Sequence, residues 1–307
     1  MNKTASGRIV RGVGGFYYVH LSDGDIYECR AKGIFRNKMI KPLVGDLVRI
    51  DILDEDEKKG NLIEIYPRKS ELFRPASANV DQAVVLFAAR NPDPNYILLD
   101  KFLITMNTMN LPVILCFNKI DLVSEEEIER LKSIYQDAAE LYFISVDQKK
   151  GLDVLKEKLK GRTTVLAGPS GAGKSSFLNY FCAENAMQTG TVSEKIGRGR
   201  HTTRHAQLFY VDFSDETEAT DRKEELTYLM DTPGFSSMML KDISFKELRF
   251  YYPEFDAYEG TCRFQGCVHV SEPDCSVKSA VKQKMIVKER YDSYCYLYEE
   301  LKQKKTY

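Results

Sequence analysis

Residues 168–175 read Gly168-Pro169-Ser170-Gly171-Ala172-Gly173-Lys174-Ser175, the pattern GxxxxGKS. The stretch before it, Thr164–Gly168, reads as a buried strand, and Lys174–Cys182 reads as the helix that follows. No other feature constrains the fold as strongly. A strand that ends in a glycine-rich turn and restarts as a helix is the context in which this pattern cradles phosphate. The glycines let successive backbone N–H groups converge on phosphate oxygens, and the helix N-terminus adds positive potential. Lys174 is placed to reach the β- and γ-phosphates and the Ser175 hydroxyl to ligate Mg²⁺. Ser176 is grouped with them as a nucleotide contact.

The surroundings agree. From about Val80 to Phe235, apolar runs alternate with amphipathic segments, the signature of an α/β sheet. Strands are expected at Ala83–Ala89, Pro112–Phe117, Leu141–Ser145, Thr164–Gly168, Gln207–Asp212 and Leu226–Asp231. Helices are expected near Asn95–Met109, Ser124–Ala138, Leu152–Leu159 and Lys174–Cys182. Runs such as Val84-Val85-Leu86-Phe87 suit strands covered on both faces.

Asn118-Lys119-Ile120-Asp121 follows the strand Pro112–Phe117, at the carboxyl end where open α/β sheets bind ligands. A carboxylate there can accept from the N1–H and amino group of guanine, a donor pair that adenine lacks. Asp121 is therefore the expected specificity residue, with Asn118 bracing the loop and the Lys119 stem lying on the base. Asp231-Thr232-Pro233-Gly234 ends the strand Leu226–Asp231; Asp231 is expected to hold Mg²⁺ through water and the Gly234 N–H to meet the γ-phosphate. Ser145, at a strand end, is expected to offer a backbone N–H to the guanine carbonyl. Between these motifs lies Gly197-Arg198-Gly199-Arg200-His201-Thr202-Thr203-Arg204-His205, read as a switch loop. Thr203, in preference to Thr202, is expected to complete Mg²⁺ coordination. Where many GTPases carry a water-orienting glutamine, this chain has Phe235. His201 is the candidate to supply the missing polar group, against the alternative that it faces RNA or solvent.

Two flanking regions differ in kind. Short alternating runs at Arg8–Val13, Phe16–Leu21, Ile26–Arg30, Asp46–Leu53 and Leu62–Tyr66 predict a five-stranded barrel, with Pro67–Ser70 and Arg74-Pro75 as a linker. At the other end, Cys262-(x4)-Cys267-x-His269-(x5)-Cys275 supplies three thiolates and an imidazole, the donor set of closed structural Zn²⁺. The remaining tail is helical, with Val277, Val281, Tyr291, Tyr294, Cys295, Tyr298 and Leu301 spaced for one helical face.

In most P-loop GTPases the phosphate loop comes first, then DxxG, then NKxD. Here NKxD precedes the phosphate loop and DTPG comes last, so the motif order is circularly permuted, with Gly151–Arg162 as the new join. That order, the barrel in front, the cysteine knot behind, Gly45-Asp46 and Ala78-Asn79-Val80-Asp81-Gln82 together resemble the RsgA (YjeQ/YloQ) family of circularly permuted GTPases. The resemblance implies a multidomain protein: an N-terminal OB-type β-barrel (1–68), a central permuted P-loop GTPase domain (69–237) and a mostly helical zinc-binding domain (238–307). It implies a GTP hydrolase that binds the small ribosomal subunit and its rRNA, assists its late maturation and is stimulated by it. The implied cofactors are GTP/GDP, Mg²⁺ and one structural Zn²⁺, and the implied protein is a cytoplasmic monomer without membrane contact. It also supports His201 as the catalytic histidine. A regulator that senses GTP, GDP or guanosine tetraphosphate, with hydrolysis secondary, is the alternative; a zinc-delivery GTPase is disfavoured because no labile His/Cys-rich tract exists.

Composition sharpens these expectations. The longest apolar run, Ala83–Ala89, is far shorter than the roughly 20 residues of a membrane span. No charged-then-apolar N-terminus indicates secretion. Seven cysteines speak against a closed disulfide framework. Net charge is −1, yet residues 1–70 carry 13 Lys/Arg against 10 Asp/Glu and residues 278–307 carry eight against four. With Lys195, Arg198, Arg200 and Arg204 in the switch loop, three basic zones flank one nucleotide site. In the barrel, Arg8, Arg11, Arg30, Lys32, Arg36, Lys38 and Lys41 interleave with Phe16, Tyr17, Tyr18 and Phe35, which reads as an RNA surface.

Overall fold

The alternating runs at the N-terminus form β1 (Thr4–Val13), β2 (Phe16–Leu21), β3 (Ile26–Ala31), β4 (Leu47–Asp54) and β5 (Lys59–Ile65). The computed structural model describes residues 3–33, 35, 40–73, 75–188, 206–213, 226–231, 240 and 243–304. His201, Thr202, Thr203, Gly234 and Phe235, together with Arg36 and Lys38, lie outside them. The five strands close into a barrel in the order β1-β2-β3-β5-β4. β3 and β5 pair in parallel and the other neighbours antiparallel. The β1–β2 hairpin turns on Gly14-Gly15, whose φ angles of +61° and +84° suit a two-residue turn between twisted strands. Ile9, Val19, Leu21, Cys29, Val48, Ile50 and Leu62 fill the interior.

One expectation for the barrel is corrected here. Phe35 packs into this core at 6% exposure, so it is not a stacking surface for bases. Arg11 and Arg30 lie over the rings of Tyr18 and Phe16, at 3.9 and 4.8 Å from their centroids.

The segment after the barrel is strapped down instead of linking loosely. β6 (Glu71–Leu72) pairs with β7 (Ser77–Ala78). Before it, Arg68 sets Nε and Nη2 2.7 and 2.9 Å from the two oxygens of Asp46, which is fully buried. Removing Arg68 would leave the buried Asp46 charge without its cation. Gly45, at φ +96°, could not be another residue, because a Cβ would sit 1.9 Å from the Ala78 carbonyl.

The remaining chain runs β8 (Gln82–Ala88), α1 (Tyr96–Thr108), β9 (Val113–Asn118), α2 (Glu125–Tyr135), β10 (Glu140–Phe143), α3 (Leu152–Leu159), β11 (Thr163–Ala167), α4 (Lys174–Gln188), β12 (Gln207–Val211), β13 (Thr227–Asp231), α5 (Ser276–Lys282) and α6 (Lys288–Lys304). The six strands take the order β10-β9-β8-β11-β13-β12. β10 is parallel to β9 and β11 to β13, while β12 is antiparallel to β13. Every residue of β8 and β11 is buried, as the apolar runs Ala83–Ala88 and Val165–Ala167 predict, and the buried Gln82 and Thr164 side chains bond to each other. α2 begins on a capping box in which Ser124 Oγ accepts from Glu127 N–H and Glu127 returns the bond. Among the described residues no helix is long and apolar enough to cross a membrane.

The chain divides into two compact units, one of residues 1–84, 153–167 and 174–235, the other of 85–152, 168–173 and 236–307. In the first, Arg8 of β1 donates to Thr163 Oγ1 and lies over the Tyr228 ring at 4.9 Å. His20 Nδ1, on β2, is 2.8 Å from Tyr228 Oη on β13. In the second, α1 packs with α6 through a buried polar cluster. Arg290 contacts Asp100, sets Nε 2.7 Å from Glu254 Oε1, and stacks on Tyr252 at 4.5 Å. Tyr252 Oη donates to the other Asp100 oxygen at 3.1 Å. The tail expected on one helical face is two helices: Lys284, at φ +60°, breaks the run after α5.

Candidate nucleotide site and metal centre

The guanine and phosphate loops meet within the second unit. Asn118 closes β9 at 3% exposure. Its Nδ2 donates to the Ala172 carbonyl at 3.0 Å, and its Oδ1 accepts from Val146 N–H at 3.1 Å. One amide thus ties three loops together, the bracing role expected of it. Lys119 follows in the left-handed region at φ +65°, which turns the chain into the 3₁₀ turn Ile120–Leu122, and its Nζ donates to the Asn91 carbonyl. The phosphate loop fits closely here. A Cβ on Gly173 (φ +97°) would lie 2.3 Å from Asn118 Nδ2, and one on Gly168 (φ +143°) 2.1 Å from the Leu86 carbonyl. Ala172 is fully buried, while Ser170 and Gly171 are exposed.

Asp121 supplies the clearest sign of a missing partner. Its Oδ1 is buried and accepts no hydrogen bond. A buried carboxylate oxygen without a donor costs several kcal/mol in ordinary circumstances, so such an atom calls for explanation. A purine that presents an N–H pair supplies one.

Ser145 behaves differently from the expectation. Its N–H is already given to the Lys150 carbonyl at 3.1 Å, and its Oγ accepts from Gln148 N–H at 3.1 Å. A guanine carbonyl would have to displace the first bond. The side chain shapes the turn from within, fully buried.

In the first unit, Lys174 opens α4 after the glycine turn, and Ser175 and Ser176 follow in its first turn. Burial lowers the Lys174 ammonium pKa below its ordinary value, and the Asp231 carboxylate at the end of β13 opposes that shift. A cation held partly desolvated is suited to phosphate oxygens. The switch-loop candidates His201, Thr202 and Thr203, and Gly234 of DTPG, lie outside the described residues.

The second unit also gathers Cys262, Cys267, His269 and Cys275, with one donor atom from each all within 4.8 Å of one another. Cys262 Sγ is 3.9 Å from Cys275 Sγ, and His269 Nδ1 is 3.6 and 3.3 Å from these two sulfurs. Tetrahedral Zn²⁺ with its usual bond lengths separates two sulfurs by roughly 3.8 Å, so the donor set fits that ion. All seven cysteines are free thiols. Apolar and aromatic residues pack around the knot, with Phe255 edge-on to His269 at 5.8 Å.

Sequence reasoning missed several supporting residues. The loop after β8 carries Asn91 and Pro92, which touch Lys119 and lie 3.2 Å from a Cβ built on Gly171. Asp100 and Arg290, separated by 190 positions, pair in the core. A lone acid in the mostly apolar helix Tyr96–Thr108 was the available signal.

A barrel, a permuted α/β domain and a cysteine-histidine knot, with the guanine loop preceding the phosphate loop, define a circularly permuted P-loop GTPase. The RsgA GTPase family model matches residues 65–241 and the RsgA N-terminal domain model residues 6–61. The small ribosomal subunit biogenesis GTPase RsgA of Agathobacter rectalis is 47% identical over 98% of this chain and 100% of its own length. That of Alkaliphilus metalliredigens is 44% identical over 99% and 100%. Among solved structures, YjeQ from Thermotoga maritima matches with a TM-score of 0.76 at 32% identity, covering 97% of this chain and 99% of that one. YloQ, described as a circularly permuted GTPase, matches at 0.73 and 32%, covering 98% and 96%. The chain belongs to the RsgA family of GTPases. It is a GTP hydrolase, and its ligands include guanine nucleotides and Mg²⁺.

Proposed function

We propose that this GTPase binds the small ribosomal subunit through its rRNA, assists late maturation of that particle, and leaves it after hydrolysing GTP. The relatives named above are called small ribosomal subunit biogenesis GTPases, and they match over essentially the full length of this chain, which supports the reading. Within the molecule, the observation that carries the guanine reading is the partnerless buried oxygen of Asp121 beside the loop braced by Asn118. In this reading Asp121 accepts from the guanine N1–H and amino group, and the Lys119 stem covers one face of the base. Gly168–Gly173 turn backbone N–H groups toward the phosphates, and Lys174 meets the β- and γ-oxygens. Ser175, Thr203 and Asp231 would hold Mg²⁺, which neutralises charge on the phosphates. His201 is proposed to orient the attacking water, because Phe235 has no polar group to do so. The knot of Cys262, Cys267, His269 and Cys275 is proposed to hold one structural Zn²⁺ with no open position.

The basic excess in residues 1–70, 195–205 and 278–307 supports contact with rRNA. We keep 1–68, 69–237 and 238–307 as the functional division, and a cytoplasmic monomer as the working form. The test is GTP hydrolysis by wild type and Lys174→Ala, with and without purified small subunits. Stimulation by subunits that disappears in the variant is the expected result. Tight nucleotide-dependent binding without stimulation would instead favour the sensing regulator, and no dependence on subunits would overturn both readings.

A further inference from the structure

His269 is 1% exposed, and its two ring nitrogens face different partners. Nδ1 points into the cysteine cluster, 3.3 Å from Cys275 Sγ and 3.6 Å from Cys262 Sγ. Nε2 points the other way, 3.2 Å from Glu259 Oε1. Glu259 follows the 3₁₀ turn Pro253–Tyr258 and keeps only 30% of its side chain exposed. Arg249 Nε lies 3.4 Å from the same Glu259 oxygen, and its Nη1 donates to the Cys267 carbonyl at 2.5 Å. The backbone on either side of the histidine is also held, by Tyr291 Oη on the His269 carbonyl at 2.7 Å and Tyr294 Oη on the Val268 carbonyl at 2.5 Å. The imidazole is therefore fixed in direction by groups that are not metal donors.

We infer that Glu259 is a positioning residue for the metal knot: it accepts the Nε2–H of His269 and so commits Nδ1, unprotonated, to the metal. This rests on the proposal that the knot holds Zn²⁺. The physical reason is simple. A neutral imidazole carries one proton and can offer only its bare nitrogen to a metal. A carboxylate on one nitrogen holds the proton there and raises the electron density at the other, and such outer partners typically change metal affinity by about 10–100-fold. The Glu259 carboxylate also gives the knot a mechanical attachment. Through Arg249 it joins the donor loop 262–275 to the turn Leu248–Tyr251, whose Leu248 lies in the core of the same unit.

Glu259 could instead serve only as the ion-pair partner of Arg249, and the test separates these roles. The full-length chain is loaded with Zn²⁺, and release to an excess of chromophoric chelator is followed for wild type, Glu259→Ala, Glu259→Gln and Asp274→Asn. Asp274 is an exposed acid beside the donor Cys275 that pairs with Arg263 and makes no contact with His269, so its variant controls for the mere loss of a negative charge. Glu259→Ala is expected to release metal about 10–100 times faster than wild type. Glu259→Gln, whose amide oxygen can still accept, should fall between, and Asp274→Asn should match wild type. Nitrogen-15 spectra of the histidines give a second readout independent of release. A protected Nε2–H on His269 is expected in the loaded wild type, with faster solvent exchange in Glu259→Ala. Release at the wild-type rate from both Glu259 variants would overturn the inference, as would equal acceleration by Asp274→Asn. A wild-type chain that takes up no stoichiometric Zn²⁺ would overturn the zinc reading beneath it, a result plainly different from either.

Discussion

The loops at Asn118 and Gly168–Gly173 present hydrogen-bonding groups to a ligand from a frame tied by one amide, whereas at Cys262, Cys267, His269 and Cys275 the protein's own bracing serves to bring four donor atoms to one point. Both lie in the same unit. In the first, an amide side chain and close-fitting glycines set the shape of the loops, and one carboxylate oxygen has no partner within the protein. In the second, three sulfurs and a ring nitrogen sit within 4.8 Å, an arrangement that suits a cation among them. A ligand that must come and go is met by a prebuilt frame. A ligand that stays can become one strut of the frame.

The sharpest way to break this comparison is to remove the metal. Chelation or Cys275→Ser should unfold the region around the knot, with a loss of local stability on the order of 10 kcal/mol. Differential scanning calorimetry and hydrogen exchange would locate the loss. If residues 243–304 keep their protection without metal, the protein's own bracing suffices there and the contrast fails.

Next in size is Asp121→Asn. Asparagine offers an N–H where guanine also offers N–H groups, and each hydrogen bond to a charged group is worth roughly 1.5–3 kcal/mol. Two such bonds lost should weaken GTP binding by about 10²–10⁴-fold. A base with a carbonyl in place of the amino group, as in xanthine nucleotides, should recover much of that loss. Fluorescent-nucleotide titration tests both, and unchanged GTP affinity would show that Oδ1 waits for something else.

Gly173→Ala probes the frame. Its Cβ would meet the Asn118 amide at 2.3 Å in a left-handed backbone, a strain of roughly 1–3 kcal/mol. Nucleotide affinity should drop by about tenfold or more, while zinc content stays at the wild-type level. Loss of zinc in this variant would mean that the two sites are not independently built.

The smallest effect lies in the other unit, and it sharpens the comparison by showing an ordinary buried polar contact. Burial lowers the pKa of His20 below its usual 6.5, with only Asp23 opposing, and Tyr228 and Tyr210 pack against the ring. The unfolded chain then takes the proton first. Stability from this residue is complete above pH 6.5 and is lost as pH falls toward the folded value, at most about 1.4 kcal/mol for each pH unit crossed. The melting temperature of His20→Gln should depend less on pH below 6.5 than that of wild type. Parallel curves would remove His20 from the account.

What the sequence disclosed follows from how local the chemistry is. The phosphate loop, the Asn118–Asp121 loop and the metal donors are each contiguous or nearly so, and residue type with spacing was enough to read them. The barrel was legible because alternation and Gly14-Gly15 are local too. What stayed hidden is carried by pairs distant along the chain. Arg68 read as part of a linker, because nothing nearby reveals that Asp46 waits for it. Phe35 read as a surface aromatic, because basic residues flank it at Lys32, Arg36 and Lys38 while its ring packs into the barrel. Glu259 stands outside the donor pattern and shows its role only when the Nε2 of His269 is seen to face it.

The buried pair of Asp100 and Arg290 bears on how this chain is made. A ribosome emits residue 100 long before residue 290, so the segment Tyr96–Thr108 is made well ahead of its partner, with an acid at a position that the finished protein buries. Burial alone raises the pKa of that carboxyl and disfavours its charge. Only when the last helix arrives does its cation join Asp100 and Glu254 and make the closed arrangement favourable. A chain cut short before Arg290 therefore cannot complete the packing of its own middle. The final turns of the polypeptide act as the signature on a document drafted two hundred residues earlier.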